Sequence, residues 1–488
     1  MKRSKCSLSH HKLFTCDMGE LVPIGCFEVL PGDTLQQSTS MLLRVSPLLT
    51  PVMHPVRVRI HHWFVPNRLL WDDWEDFITG GPDGMDASVH PYKNLVDVGV
   101  EGSLGDYLGI PGGATVPTPI SALPFRAYAM IYNENYRDQD LQAEIPLVTT
   151  SGADITTNND LLKVCWEKDY FTSSRPWTQK GPDVTIPFAT SAPVLGSGSP
   201  VFNVAGGSHP LASSAGAAAH AMWGGGAAAT DTTATWNTTA LTADLSSATA
   251  ISINDLREAF ALQRYEEARA RYGSRYVEYL RYLGVRPSDA RLQRPEYLGG
   301  GLQTIQFSEV LQTSEGDTTP LGEMAGHGIS AMRSNRYRRF FEEHGLVLSL
   351  MSVLPKTMYT NGINRGWLRA TKEDYFQKEL QHIGQQEIHN AEVYAPHVAP
   401  LGTFGYQDRY DEYRRMESQV HGEFRSTLNM WHYARDFGAP PALNASFVEA
   451  DPTKRVNAVT SNDVLWCMAR HSIQARRMVS YQGNSFIQ

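Results

Sequence analysis

Over residues 56–65 hydrophobic and polar positions alternate with period two. Val56, Val58, Ile60, His62 and Phe64 fall on one face of a strand, and Arg57, Arg59, His61, Trp63 and Val65 on the other. Pro66 has no N–H to give to a ladder and stops the strand; Asn67 is then placed to cap a short helix in which Leu70, Trp74 and Phe77 recur at i, i+4 and i+7. Such a strand needs a core on its apolar face and a polar or anionic neighbour against its arginines. Further strands are expected over 21–30, 41–45 and 304–311. Residues 346–354 are almost continuously apolar and read as a strand buried on both faces. A Gly/Pro-rich stretch fills 81–120, and a helix is expected from about 125 to 136 with Pro124 in its first turn.

From Leu256 the period becomes helical, through Phe260, Gln263 and Glu267 to about residue 283. Asn254 or Asp255 can cap this helix, Tyr265, Tyr272, Tyr276 and Tyr279 recur along it, Glu267 and Arg271 form an i, i+4 pair, and Pro287 ends it. Ahead of it, residues 181–256 contain no Lys or Arg and only four acids, Asp183, Asp231, Asp244 and Asp255, in a chain whose charged fraction is 19%. The segment is rich in Ala, Gly, Ser and Thr, yet it carries Val184, Ile186, Phe188, Val201, Phe202, Val204, Trp223 and Trp236. A pure linker would not keep these, so an ordered, uncharged insertion is expected. The pattern as a whole is mainly β with long helix-carrying excursions.

Composition narrows the function classes. A chain of 488 residues with 42% hydrophobic and 10% aromatic residues can bury a large core. Its charged fraction lies below the roughly 25% usual for soluble domains, as expected of surfaces buried against partners. The net charge of −8 argues against a histone-like coat but permits a local basic face. Five cysteines without a Cys-x-x-Cys pair argue against a disulfide framework. Cys6, His10, His11 and Cys16 fit no common zinc spacing, and a mobile N-terminus is expected there. No secretory h-region and no run of eighteen apolar residues is present, so no signal peptide and no membrane span are expected.

Catalytic motifs are missing: there is no P-loop, His-Glu-x-x-His, Gly-x-Ser-x-Gly or Gly-x-Gly-x-x-Gly. His61 and His62 are strand neighbours pointing to opposite faces, which suits packing rather than metal binding. Asp83 and Asp86 read as a solvated turn, and Asp72, Asp73, Glu75 and Asp76, clustered within one helical turn beside Trp71 and Trp74, as a helix N-terminal charge set and partner surface. The sequon at Asn237 matters only in a secretory pathway. The strongest signal is basic and aromatic together: Arg333, Arg336, Tyr337, Arg338, Arg339 and Phe340, followed by Phe341. Arg414 and Arg415 follow Tyr410 and Tyr413, and Arg470, Arg476 and Arg477 precede Tyr481. Guanidinium groups for phosphates and rings for bases suit sequence-tolerant single-strand binding; intersubunit salt bridging through Glu342, Glu343, Asp408, Asp411 and Glu412 is the competing reading.

Several blocks resemble the major capsid proteins of the Microviridae, small single-stranded DNA bacteriophages, in their gokushovirus branch. They are Pro-Val-Arg-Val-Arg-Ile-His-His-Trp-Phe-Val-Pro-Asn-Arg-Leu-Leu-Trp at 55–71, Leu-Pro-Gly-Asp-Thr at 30–34, Asn-Asp-Leu-Arg-Glu-Ala-Phe-Ala-Leu-Gln-Arg-Tyr-Glu-Glu at 254–267, Tyr-Gly-Ser-Arg-Tyr at 272–276, Glu-Tyr-Leu-Gly-Gly-Gly at 296–301, Glu-His-Gly at 343–345 and Phe-Gly-Tyr-Gln-Asp-Arg-Tyr-Asp-Glu-Tyr-Arg at 404–414. The resemblance implies one eight-stranded antiparallel jelly roll of viral capsid type over 1–488, with long helix-containing loop insertions. It implies self-assembly into a T=1 icosahedral shell around a circular single-stranded DNA genome, with 181–256 as a protrusion at the threefold axis. Trp223 and Trp236 are then the candidate protrusion aromatics, facing a host cell-surface receptor. Other implied partners are an internal scaffolding protein, a small basic DNA-binding peptide and a DNA pilot protein. The place of action is the virion, after synthesis and assembly in the bacterial cytoplasm. No enzymatic activity or cofactor is implied, and a loosely held divalent cation is left open. The alternative is a β-rich carbohydrate-binding or carbohydrate-active protein, which needs a carboxylate pair about 5–10 Å apart in an aromatic cleft.

Overall fold

A computed structural model describes residues 3–182 without Gly84, residues 293–479 without 317–319, and short stretches between 184 and 284. The chain divides into two compact units, Met1–Thr178 with Arg269–Gln488, and Gln179–Ala268.

The first unit is built on eleven strands: β1 (Ser4–Ser7), β2 (His10–Cys16), β3 (Val22–Val29), β4 (Thr34–Val45), β5 (Val56–Pro66), β6 (Glu296–Thr304), β7 (Gln306–Leu311), β8 (Met324–Arg333), β9 (Tyr337–Phe340), β10 (Gly345–Pro355) and β11 (Leu465–Arg477). A seven-stranded antiparallel sheet sets β1 and β2 along β11, then β4, then β8 and β9, with β7 outermost; a four-stranded sheet runs β6–β5–β10–β3. The chain crosses between sheets from β2 to β3, β3 to β4, β4 to β5, β6 to β7, β9 to β10 and β10 to β11, which is jelly-roll connectivity. The main ladders thus hold seven and four strands, because β1 with β2, and β8 with β9, divide single edges of β11 and β4.

The alternation at 56–65 produces the expected two faces. Val56, Val58 and Ile60 pack between the sheets with Ile24, Leu43, Met351, Val353 and Cys467, all nearly or wholly buried. On the other face Trp63 and Val65 join Leu346, Leu348 and Leu350 of β10 beneath helix Leu123–Asn135, through its Phe125, Tyr128 and Ile131. β10 is buried along its whole length. Arg57 and Arg59 meet their anionic neighbour within the chain: Glu167 accepts from both, at 3.1 and 2.9 Å, with Lys356 at 3.5 Å. Burial opposes ionisation of Glu167, yet these cations hold its carboxyl below the usual range. The triple glycine of β6 has a steric cause, since the ladder shifts register between Tyr297 and Gly299, and a Cβ on Gly300 would lie 2.1 Å from the Ile60 carbonyl oxygen.

Between the sheets, alongside the apolar core, runs a buried polar seam. His62 bonds Ser349 through Nδ1 (2.8 Å) and Ser334 through Nε2 (3.1 Å). Gln37 donates to Ser349 (3.1 Å) and accepts from the Tyr337 hydroxyl (2.6 Å). The Thr39 N–H donates to Ser334 (2.8 Å), and the Thr39 hydroxyl lies 2.9 Å from Nδ1 of His471, whose Nε2 reaches the Ile24 carbonyl at 2.9 Å. A carbonyl only accepts, so neutral His471 carries its proton on Nε2 and takes the Thr39 hydroxyl proton at Nδ1. Gln37, Thr39, His62, Ser349 and His471 are fully excluded from solvent. Burial pushes His62 down to about 3 and His471 down to about 4, so both are neutral donors and acceptors at pH 7.

Four expectations need correction. The N-terminus is not a mobile tail: β1 and β2 pair along β11. The strand at 41–45 starts at Thr34. Asn67 is the first helical residue, not the cap, and the one helix is two, Asn67–Leu70 and Trp74–Thr79, broken by the extended backbone of Trp71, whose ring is buried. The Gly/Pro-rich 81–120 holds two short helices, Leu95–Val98 and Leu104–Leu108.

The second unit contains short antiparallel ladders, among them Val201–Val204 between Gly207–Pro210 and Thr235–Trp236. Helix Ile253–Tyr272 starts ahead of the expected cap, so that Asn254 and Asp255 are helical residues and not caps; its expected continuation lies mostly outside the described residues. Within the first unit, Arg271 ion-pairs with Asp408 at 2.9 Å.

The seam has a pH signature. His471 is protonated only near pH 4 in the native subunit but near its ordinary 6.5 in the unfolded chain. The unfolded state therefore binds the extra proton between those values, and the stability tied to this group is full above 6.5 and lost as pH falls toward 4. Each such group contributes a slope of up to about 1.4 kcal/mol per pH unit. In denaturant titrations of unassembled subunit, the stability advantage of wild type over His471→Gln should shrink from pH 7 to pH 4.5. A pH-independent difference would refute this assignment.

Candidate nucleic-acid interface

Strand geometry splits the basic-aromatic cluster by parity. In β4 the odd residues Leu35, Gln37, Thr39, Met41 and Leu43 point into the sandwich and the even residues point outward. The register carries this parity across the sheet: Tyr337 pairs with Gln37 and Arg339 with Leu35, whereas Arg338 pairs with Gln36 and Phe340 with Thr34. Tyr337 is accordingly buried in the seam and unavailable to a ligand. Arg339 bonds Glu296 at 2.8 Å. Arg333 and Arg338 face outward, Arg336 lies exposed in the turn between β8 and β9, and none of the three has an ion-pair partner among the described residues. Phe340 is 45% exposed, with the Arg3 guanidinium 5.1 Å from its ring centre.

The same parity gathers residues remote in sequence. Arg470 and Arg333 both stand opposite Ser40, so they flank it about 10 Å apart across three strands. Arg476 lies between Lys5 and Thr34, one row from Arg338, and Trp466 lies beside Arg44. Lys5, Arg44, Arg470 and Arg476 have no ion-pair partner among the described residues either, and Trp466 is 47% exposed. No Asp or Glu stands at an outward position of β1, β2, β4, β8, β9 or β11. The result is a cationic, ring-bearing sheet face in a chain of net negative charge.

The other arginines are structural. Arg414 and Arg415 both pair with buried Asp411, at 3.0 and 3.1 Å. Arg477 pairs with fully buried Asp33 at 2.9 Å. Lys5, Arg44 and Trp466 were missed by reasoning from local clusters; the period-two pattern of 465–477, with Trp466, Met468, Arg470, Gln474 and Arg476 on one parity, is the signal that finds this face.

Trp223 lies outside the described residues, and Trp236 is placed only as a strand residue paired with Phe202. A cleft of about 870 Å³ beside β2 is lined in part by Glu101, Asp106, Tyr107, Asp463 and Trp466, the kind of surface the carbohydrate alternative requires. Two of its carboxylates serve local structure, however: Asp463 accepts from Thr15 at 2.6 Å and Asp106 from the Gly102 N–H at 3.0 Å. Among the described residues no group of three His, Cys, Asp or Glu is arranged to hold a metal, and no helix is long and apolar enough to cross a membrane.

Comparison with known proteins decides between the readings. The family model for capsid protein (F protein) of phages matches residues 1–486. Capsid protein VP1 of Bdellovibrio phage phiMH2K is 38% identical, over 94% of this chain and 90% of its own. Capsid protein VP1 of Chlamydia phage 1 is 32% identical over 96% and 92%, and that of Spiroplasma virus 4 is 32% identical over 92% and 88%.

Proposed function

The chain belongs to the phage capsid protein (F protein) family, of gokushovirus type, and on that premise we propose that the outward face of its seven-stranded sheet holds a single-stranded DNA genome inside a T=1 shell. It is a structural capsid protein of the virion. The carbohydrate alternative has no comparable support, and we assign the chain no catalytic step and no cofactor.

One observation carries the genome reading: outward cations without ion-pair partners among the described residues, on strands whose outward positions carry no Asp or Glu, with Trp466 and Phe340 exposed beside them. Unpaired arginines can neutralise phosphates without first breaking internal ion pairs, and exposed rings stack bases of any sequence. Intersubunit salt bridging would instead be favoured by mixed charge, as around Asp411. An internal scaffolding protein, a small basic peptide and a pilot protein would share this inner surface. Residues 181–256, weakly charged and dotted with apolar side chains, are proposed as the threefold protrusion that meets the host receptor.

Replacing Arg333, Arg338, Arg470 and Arg476 with Gln should lower the DNA content of purified particles while shells still form. The salt dependence of single-stranded DNA binding by free subunits should weaken by about 0.7 in log–log slope per arginine removed. Arg339→Gln, whose charge is already engaged by Glu296, should leave both quantities unchanged. Normal DNA content in the fourfold variant would overturn the reading, and loss of shells would make these arginines interface residues. For the protrusion, particles lacking residues 191–250 should assemble but fail to adsorb to host cells; undiminished adsorption would refute that role.

A further inference from the structure

The hairpin of β7 and β8 carries an edge that no strand among the described residues covers. Among those residues β7 pairs with β8 alone, and its own residues are almost all exposed. Two contacts fix which backbone groups are open. The Gln312 N–H donates to the Glu323 carbonyl at 2.9 Å, and Gly326 exchanges bonds with Leu48 on the far side of β8 at 3.0 and 3.2 Å. The antiparallel alternation therefore bonds Gln306, Ser308 and Val310 to β8 and turns the N–H and C=O groups of Phe307, Glu309 and Leu311 to the open edge. Val310 is 50% exposed, Leu311 48%, Leu321 67% and Met324 43%. An exposed apolar edge of this kind templates pairing with another chain unless something blocks it.

Charge selects the occupant. Residues 295–332 contain no Lys or Arg, and Glu309, Glu315 and Glu323 are exposed without ion-pair partners among the described residues. Two such edges paired with each other would bring these carboxylates together, which disfavours a twofold contact. The same chain exposes unpaired cations elsewhere, Arg336 and Lys378 among them. We propose that the β7 edge is an acidic strand-addition arm, seated on a different, cationic face of a second copy of this chain. A head-to-tail contact whose rotation closes generates rings, as a shell requires. The proposal rests on the capsid reading and adds the surface through which copies join.

Proline distinguishes the roles of neighbouring positions. Glu309→Pro removes an open-edge N–H and no intrachain ladder bond, whereas Val310→Pro removes a bond to β8. Full-length Glu309→Pro should stay folded by circular dichroism, with a thermal midpoint near wild type. It should weaken each contact about tenfold, so that sedimenting particles fall steeply at the concentration where wild type assembles. The triple variant Glu309→Gln, Glu315→Gln, Glu323→Gln should also assemble poorly, and a photocrosslinker at Leu321 should yield a covalent dimer of this chain, identified by mass. Wild-type particle yields in both variants, or crosslinking to a different protein alone, would overturn the proposal. Failure of the wild-type chain to form particles would instead count against the capsid reading itself.

Discussion

Every face of this subunit depends on the polar seam between its two sheets. Apolar side chains alone allow one sheet to slide over another, because dispersion and burial are nearly indifferent to a shift of a few ångströms. Donors and acceptors sealed from water are not indifferent. A slip of one residue would strand His62, Gln37, Thr39 and His471 without partners, at a cost of about 1–3 kcal/mol for each unsatisfied group. The seam joins β3, β4, β5, β9, β10 and β11 with Ser334 in the turn after β8, so it ties both sheets into one register. Because side chains alternate with period two, the register that turns these polar groups inward is the one that turns Arg333, Arg338, Arg470 and Arg476 outward.

Charge in this chain is sorted by that parity. Several inward or half-buried cations are matched by acids: Arg57 and Arg59 by Glu167, Arg339 by Glu296, Arg477 by Asp33. Outward cations on the large sheet have no ion-pair partner among the described residues, and residues 295–332, around the β7–β8 hairpin, hold exposed Glu309, Glu315 and Glu323 and no Lys or Arg. Matched pairs stabilise the fold and leave no charge for a partner, whereas the two unmatched sets remain free to act between molecules. A net charge of −8 conceals this division completely.

Much of the fold was legible in the sequence. Strong periodicity located β5, β10 and helix Leu123–Asn135 nearly to the residue, and conspicuous motifs carried the family. Elements whose pattern depends on distant partners were not legible. β2 has polar residues at both parities, and its inward Lys12 is accommodated only because the Pro23 and Tyr107 carbonyls accept its ammonium, while burial lowers it to about 8. Locally such a stretch looks like a tail. The basic-aromatic cluster was seen, but its division into buried Tyr337, paired Arg339 and free Arg333 and Arg338 is set by pairing with β4, some 300 residues away. Asn67 has the chemistry of a cap, yet the strand runs straight into the helix through Pro66 and leaves no room for one.

The central claim is that one sheet face, made cationic by register, is the surface against which the genome lies. An asymmetric electron cryomicroscopy reconstruction of DNA-filled particles tests it most directly. The account predicts nucleic-acid density within contact distance of Arg333, Arg338, Arg470 and Arg476 and stacked density at Trp466. Density confined to other surfaces, with this sheet face covered by a neighbouring subunit, would contradict it.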